Sequence, residues 1–349
     1  MTTKVTSLVI IIFILFSSAL MAKKNVIIVA TGGLLSGVES SKITNYKPTE
    51  VGVDQLLKSV PSLKNIANIK GEQVVQISSQ NMTNNIWLKL AKRVQQLAQD
   101  SKVDAIVITH GTDTLEETAY FLNLVLHTNK PVVVVGAVRP NNVVGADGPE
   151  NLYKATLVAI NKQSAKQGVL VVMNDTIFSA RDVVETNSLL LNSFAAPNVG
   201  PLGYIANSKV QYLSKSTKTH TAESEFNINN IKELPDVDIF YGYVEANANY
   251  INYAKTLGVK GIVYVGVGNG NLSVGVLNSL QNVSAKGMVV VRSSRISAGI
   301  VMRNNEINDD ANHFVAAGSL NPQKSRILLM LGLTKSSNPQ YIQSLFDKY

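Results

Sequence analysis

Four short polar loops contain the residue types that could carry chemistry, and each of them follows a strand-like segment. They are residues 31–37 (TGGLLSG), 78–80 (SSQ), 110–113 (HGTD) and 266–271 (GVGNGN). In open α/β sheets, ligands bind outside the carboxyl ends of the strands, where loops present backbone amides and short polar side chains. These four loops are therefore the candidate site.

The loop 110–113 places the hydroxyl of Thr112 beside the carboxylate of Asp113, directly before a predicted helix. The free amides at a helix start favour negative charge, so this position predicts stabilisation of an anion or an oxyanion. An alternative is that Thr112 or Asp113 only caps the helix, as such residues commonly do. We expect His110 to be a packed, hydrogen-bonded residue rather than a general base, because strand ends are crowded.

The remaining polar segments argue against a cofactor. The loop 266–271 has Asn271 where a dinucleotide-binding loop requires its last glycine, so we expect no nucleotide cofactor. The chain contains no cysteine, which excludes disulfides, thiolate metal sites and thiol nucleophiles. We expect no other cofactor and no bound metal. An ordinary salt-bridged loop explains the polar residues at 174–175 and 181–182.

The elements that must position these loops alternate between strand and helix. Continuous apolar runs are typical of strands covered on both faces, as in parallel sheets. Apolar residues at intervals of three and four predict helices between them, and the alternation predicts a doubly wound α/β fold. The predicted strands are 25–30, 105–108, 131–135, 169–173, 261–265 and 287–291, and the clearest helices are 85–98 and 115–127.

A polar stretch, residues 211–233, interrupts this alternation and predicts a domain boundary. We therefore divide the chain into a larger domain at 23–212, a linker at 213–234 and a smaller domain at 235–349, sizes that are usual for domains. The first 22 residues are predicted to be a secretory signal peptide, since Lys4 precedes a nine-residue apolar run and small residues follow it. That run is too short to span a membrane.

The net charge of +8 comes from scattered residues without a basic run, so it indicates neither a nucleic-acid partner nor membrane binding after signal cleavage. The composition, with 45% hydrophobic and 16% charged residues, is that of a folded globular protein. A signal peptide predicts export, and we expect a periplasmic location.

Taken together and in order, seven segments resemble the bacterial type II L-asparaginases, periplasmic amidohydrolases that convert asparagine to aspartate and ammonia. The resemblance implies that family's two-domain fold, with a large doubly wound sheet and a smaller flavodoxin-like domain. It also implies a homotetramer of intimate dimers, in which a neighbour's smaller domain completes each site. The segments are 109–122 (THGTDTLEETAYFL), 134–140 (VVGAVRP), 146–153 (ADGPENLY), 168–176 (GVLVVMNDT), 266–272 (GVGNGNL), 290–295 (VVRSSR) and 321–329 (NPQKSRILL).

In that family a threonine hydroxyl attacks the side-chain amide and forms an acyl-enzyme, and such a hydroxyl needs a base at neutral pH. The resemblance carries two sets of roles onto this chain. The catalytic set is Thr112, Asp113 and Tyr46. The substrate-binding set, for an amino acid such as asparagine, glutamine or aspartate, is Ser79, Gln80 and Asp113, with Asn271 and Glu306 supplied by the neighbour.

Two positions depart from the family pattern, and both are positions that take part in the family's catalytic reaction. Leu34 occupies the position of the nucleophilic threonine and has no nucleophilic atom. Glu185 occupies the position of a lysine, which changes the local charge by two units close to Asp113 and should raise the pKa of one carboxyl. We therefore expect impaired or absent asparaginase activity and a site that favours amines or other cations over aspartate.

Three interpretations follow. The first is an amidohydrolase with a substitute nucleophile, either Thr112 with Glu185 as its base through a water, or Ser36 brought inward by a shorter loop. The second is an inactive relative that binds an amino acid or an amine, or that assembles with an active paralogue. The third, a structural envelope protein, leaves the polar binding residues without an explanation.

Overall fold

Two separate sheets carry the fold of this chain. The computed structural model describes residues 22–33 and 51–349. An eight-stranded sheet forms the larger domain and a four-stranded sheet forms the smaller one, which confirms the predicted two-domain α/β architecture. The strands are β1 Asn25–Gly32, β2 Asn68–Ile77, β3 Ala105–Thr109, β4 Val132–Val135, β5 Val169–Met173, β6 Thr176–Ser179, β7 Val184–Glu185, β8 Phe194–Ala195, β9 Gly203–Ala206, β10 Lys209–Tyr212, β11 Val237–Tyr241, β12 Gly261–Gly266, β13 Val289–Ser294 and β14 Phe314–Ala316.

The helices lie on both faces of each sheet. Asparagine caps α8, α9 and α10, because an Asn side chain accepts a hydrogen bond from an otherwise free backbone amide. Helices α9 and α10 also have proline in their first turn. They are α1 Val53–Ser59, α2 Leu63–Ile66, α3 Asn84–Gln99, α4 Leu115–Val125, α5 Gly148–Ile160, α6 Asn249–Thr256, α7 Val274–Ser284, α8 Asp309–Asn312, α9 Pro322–Leu333 and α10 Pro339–Lys348.

In the large sheet the strand order is β10-β9-β6-β5-β4-β3-β1-β2. The pairs from β2 through β5 are parallel, as the continuous apolar runs of β1, β3, β4 and β5 predict. The pairs beyond β5 are antiparallel, which was not predicted from the sequence. Because β1, β3 and β4 are neighbours and parallel, their carboxyl ends meet at one edge.

The small sheet is wholly parallel, with its strands in chain order. Helix α9 packs between the two domains, because it contacts β12 on one side and α4 of the large domain on the other. One hydrophobic core therefore runs from Trp87 and Phe121 in the large domain to Leu328 and Met330 in the small one. The two domains are thereby held in a fixed relation.

Residues 213–234, the predicted linker, contain only short 3-10 helices at Thr221–Glu223 and Ile228–Asn230. They nevertheless bury Phe226 and Ile228 in the shared core. No helix among the described residues is long and apolar enough to cross a membrane. The predicted signal peptide lies outside the described residues, apart from Ala22.

Candidate active site at the carboxyl edge of the large sheet

Two glycines at the end of β1 bring three loops into contact. Gly32 and Gly33 both have positive φ, at 112° and 83°. A Cβ on Gly32 would lie 2.3 Å from the carbonyl oxygen of Ile77 at the end of β2, and one on Gly33 would lie 2.4 Å from the backbone nitrogen of Gly111 after β3. Only glycine permits both the backbone conformation and this approach. The residue that follows them, Leu34, is outside the described residues.

Ser79 and Asp113 meet across these loops. Ser79 is buried in the turn after β2, and its hydroxyl donates to Asp113 Oδ2 over 3.2 Å. Thr114 fixes the two loops together, because its hydroxyl donates to the carbonyl oxygen of Ser79 over 2.8 Å. The structure thus brings together two of the residues predicted for substrate binding. Gln80, the next residue along the chain, is exposed.

The capping interpretation of the loop 110–113 is wrong. The residue at the capping position of α4 is Thr114, and its side chain makes no capping hydrogen bond. Thr112 lies one turn earlier, in a short 3-10 helix whose own cap position is Gly111. The hydroxyl of Thr112 and the carboxylate of Asp113 are therefore available for other partners.

His110 is a packed residue, as predicted. It is fully buried, Nε2 lies 2.9 Å from the Thr118 hydroxyl, and Nδ1 lies 2.7 Å from the carbonyl oxygen of Gly111. Trp87 Nε1 donates to the same Thr118 hydroxyl over 2.8 Å, so the hydroxyl proton is directed to Nε2 and the ring proton to Gly111. Burial lowers the pKa of His110 to about 4, which keeps the ring neutral. The chain of bonds fixes Gly111 and does not provide a base.

Glu185 reaches this site from the short strand β7. The strand pairs with β8, which places Glu185 opposite Phe194. The Thr112 hydroxyl and the Asp113 carboxylate both lie close enough to the Glu185 carboxyl to shift its pKa, the hydroxyl lowering it and the carboxylate raising it. Burial, followed by repulsion from Asp113 and Glu116, raises the pKa of Glu185 to about 7. The predicted rise in a carboxyl pKa at this site thus falls on Glu185.

Three residues missed by the sequence analysis hold β7 in place. Glu116 is buried at the start of α4 beside the backbone amide of Glu185, and its carboxylate accepts from Asn321 Nδ2 over 3.3 Å. Lys324 Nζ lies 3.8 Å from Glu116 and donates to the carbonyl oxygens of Arg181, over 3.0 Å, and of Val183. Glu116 and Lys324 stand inside quoted motifs, but no local pattern connects them with Glu185.

These contacts decide what Lys324 contributes. Its ammonium group is buried, and each of its contacts is to Glu116 or to a backbone carbonyl. It therefore does not replace the lysine that the family has at position 185. Just before β7, the Arg181 guanidinium lies 2.7 Å from Asp182 Oδ1, an ion pair as expected for an ordinary salt-bridged loop.

A cleft of about 420 Å³ opens between the two domains. Asp182, Val184 and Lys324 contribute to its lining, whereas Ser79, Thr112 and Asp113 do not. The cleft is therefore distinct from the group around Thr112.

Asn271 and Glu306 lie in the small domain, on loops that a buried arginine ties together. Arg292 donates to the carbonyl oxygens of Gly270, over 3.0 Å, and Met302, over 3.1 Å, and pairs with Asp309. Within the described part of the chain, no hydrogen bond or ion pair joins Asn271 or Glu306 to Ser79, Thr112, Asp113 or Glu185. One chain therefore brings together only the first half of the predicted site.

Two further predicted residues cannot be placed. Tyr46 of the catalytic set and Ser36, the alternative nucleophile, both lie between positions 33 and 51, outside the described residues.

Comparison with protein families decides the assignment. Residues 25–218 match the model of the N-terminal asparaginase domain, and residues 236–346 match that of the glutaminase/asparaginase C-terminal domain. The chain belongs to the asparaginase family. The first match ends at position 218 and the second begins at position 236.

Several curated asparaginase-family proteins are similar over nearly the whole chain. L-asparaginase 2 of Escherichia coli is 48% identical over 335 residues, which is 96% of each chain. A probable periplasmic L-asparaginase of Haemophilus influenzae is 47% identical over 326 residues, 93% of each chain. The glutaminase-asparaginase of Pseudomonas fluorescens is 46% identical over 93% of this chain and 90% of its own.

Proposed function

We propose that this asparaginase-family protein binds an amino acid at Ser79, Asp113 and Thr112 and has lost most of the family's hydrolysis of L-asparagine to L-aspartate and ammonia. The observation that carries the proposal is the placement of the Glu185 carboxyl beside the Thr112 hydroxyl. At the position where the family pattern has a lysine, this chain has a carboxyl group, and it lies next to the hydroxyl of the remaining catalytic threonine.

Leu34 supports the same conclusion from the sequence. A leucine side chain cannot attack an amide, and loss of an enzyme's nucleophile typically lowers the rate by roughly four to six powers of ten. Glu185 adds a second cost, because the aspartate formed in the reaction would carry its new carboxylate into a site that already holds Glu185 and Asp113. Both changes leave Ser79 and Asp113 intact, so binding is retained.

A second candidate function is slow hydrolysis with Thr112 as nucleophile and Glu185 as base. One observation favours it: the Thr112 hydroxyl lies beside a carboxyl group, that of Glu185, whose pKa is raised to about 7. A general base works best when its pKa is close to the working pH. This arrangement supplies a hydroxyl and a base, but the second function also requires an oxyanion site and a suitably placed amide carbon.

The test is ammonia release from L-asparagine and L-glutamine by the purified mature protein, with the E. coli L-asparaginase 2 assayed alongside. We expect turnover at least ~10⁴-fold below that of the E. coli enzyme. The double variant Leu34→Thr with Glu185→Lys should gain activity. Parent turnover that Thr112→Ala abolishes would establish the second candidate, and parent turnover close to that of the E. coli enzyme would refute the first.

We further propose that residues 1–22 are a secretory signal peptide and that the mature protein works in the periplasm as a homotetramer. The similarity to a relative named as periplasmic supports the location. The placement of Asn271 and Glu306, away from Asp113 within one chain, supports completion of each site by a neighbour. An inactive subunit of this kind could alternatively assemble with an active paralogue, which mass analysis of the protein purified from periplasm distinguishes.

A further inference from the structure

The end of the site next to Thr112 is rich in negative charge. The carboxyl group of Glu185 lies within electrostatic reach of two others, those of Asp113 and Glu116. Glu116 has cationic and amide partners in Lys324 and Asn321. In the described part of the structure Asp113 accepts a hydrogen bond from the Ser79 hydroxyl, and Glu185 lies beside the Thr112 hydroxyl. The charge of the Asp113–Glu185 pair is therefore not balanced by these contacts.

We propose that Glu185 makes the site selective for amino acids whose side chain ends in an amine, an inference that rests on the proposed amino-acid binding. L-2,4-Diaminobutyrate is the matched ligand, because its terminal nitrogen is bonded to Cγ, as is the amide nitrogen of L-asparagine. Its ammonium group can donate to Glu185 with opposite charge, and such charge-assisted hydrogen bonds are about twice as strong as neutral ones. The carboxylate of L-aspartate at the same place meets like charge.

Glu185 is well suited to discriminate between these ligands because its backbone is fixed while its side chain is only half-buried. The backbone N–H of Glu185 lies beside the Glu116 carboxylate, and β7 pairs with β8. A ligand therefore meets a carboxyl group at a fixed position, next to Thr112 and Asp113 on the loop after β3.

The selectivity should depend on pH. The titratable groups that face Glu185 are Asp113 from the loop after β3 and Glu116 from α4, and Lys324 from α9 stands behind Glu116. Because the pKa of Glu185 is raised to about 7, its carboxyl is mainly neutral at pH 6 and mainly charged at pH 8. The affinity for an amine should therefore increase between these two values, and the affinity for aspartate should decrease.

Isothermal titration of the mature protein with L-2,4-diaminobutyrate, L-asparagine and L-aspartate at pH 6 and pH 8 tests the inference. At pH 8 we expect diaminobutyrate to bind at least ~10-fold more tightly than asparagine, which corresponds to about 1.4 kcal/mol. Aspartate should bind more weakly than asparagine. Glu185→Gln should bring the three affinities together, and Glu185→Lys should place aspartate first.

Glu117→Gln is the control. Glu117 also lies at the start of α4 and has its pKa raised to about 7, but its neighbours are Glu116, Arg326 and Lys324 rather than Thr112. This variant should retain the preference for the amine. Asparagine binding as tight as diaminobutyrate binding, or an unchanged ratio in Glu185→Gln, would overturn the inference and leave the proposed function standing. Failure of all three amino acids to bind would overturn both.

Discussion

Replacement of Asp309 by asparagine should destabilise this protein strongly, because it breaks a fully buried ion pair. Arg292 is 1% exposed and Asp309 is 0% exposed, and two hydrogen bonds of 2.5 and 2.7 Å join them. The other guanidinium N–H groups donate to carbonyl oxygens of the two loops that carry Asn271 and Glu306. The pair thus connects these two loops through a single side chain.

The magnitude follows from the charge that remains. An asparagine side chain at this position would offer Arg292 one neutral acceptor in place of a carboxylate, and an uncompensated buried charge typically costs about 3–5 kcal/mol. We expect a loss of that size for Asp309→Asn. Replacement of both residues, Arg292→Met with Asp309→Leu, should cost less than the sum of the two single changes. The double variant should still be less stable than the parent, because the carbonyl oxygens of Gly270 and Met302 lose their hydrogen-bond donor.

Urea denaturation followed by circular dichroism measures these differences as shifts of the transition midpoint. Asp310→Asn is the matched control, since Asp310 is the next residue and pairs with Arg303 at the exposed surface. Exposed pairs contribute little, so this variant should unfold at the same urea concentration as the parent. An Asp309→Asn protein with a midpoint as high as that of Asp310→Asn would refute the reasoning.

Two further predictions concern the loops around Thr112. Gly33→Ala should destabilise the protein by more than about 1 kcal/mol, because φ is +83° and the new Cβ would lie 2.4 Å from Gly111. In Gly275→Ala, the control in α7, the new Cβ meets open space and should stabilise the helix. Urea denaturation of both variants measures the two effects. The pKa of buried His110 is lowered to about 4. Below pH 6.5 the unfolded chain takes up a proton that the folded His110 does not, so the free energy of unfolding falls as the pH decreases from 6.5 towards 4. This gap corresponds to about 3 kcal/mol, and His110→Gln should remove that part of the pH dependence of unfolding; an unchanged slope between pH 7 and pH 4 would contradict it.

The sequence predicts the central strands well because burial on both faces leaves a continuous apolar run. The predicted strand 169–173 coincides with β5, and 105–108 falls one residue short of β3. The edge strand β2 was not predicted, since most of its residues are partly or fully exposed and its sequence, NIKGEQVVQI, is largely polar. The antiparallel strands beyond β5 are short, and their pairing depends on partners up to 28 residues away.

The site could be predicted only as far as its loops. The rule for strand ends located Ser79, Thr112 and Asp113, and the resemblance drew attention to Glu185. The support of Glu185 could not be found in this way, because Glu116 and Asn321 are 205 positions apart and meet only when α9 packs against α4. The polar pattern of α4's first turn, with Glu116 and Glu117, is equally typical of an exposed helix start.

This support also determines what the restoring experiment can show. Residue 185 is held by the β7–β8 pairing and by the approach of its backbone amide to Glu116, and Lys324 fixes the carbonyl groups of Arg181 and Val183. None of these contacts uses the side chain of residue 185, so Glu185→Lys should change the charge next to Thr112 without moving the strand. A gain of activity with Leu34→Thr would then be a consequence of chemistry at two side chains. A double variant that folds and binds asparagine but releases no ammonia would instead show that another part of the site prevents hydrolysis.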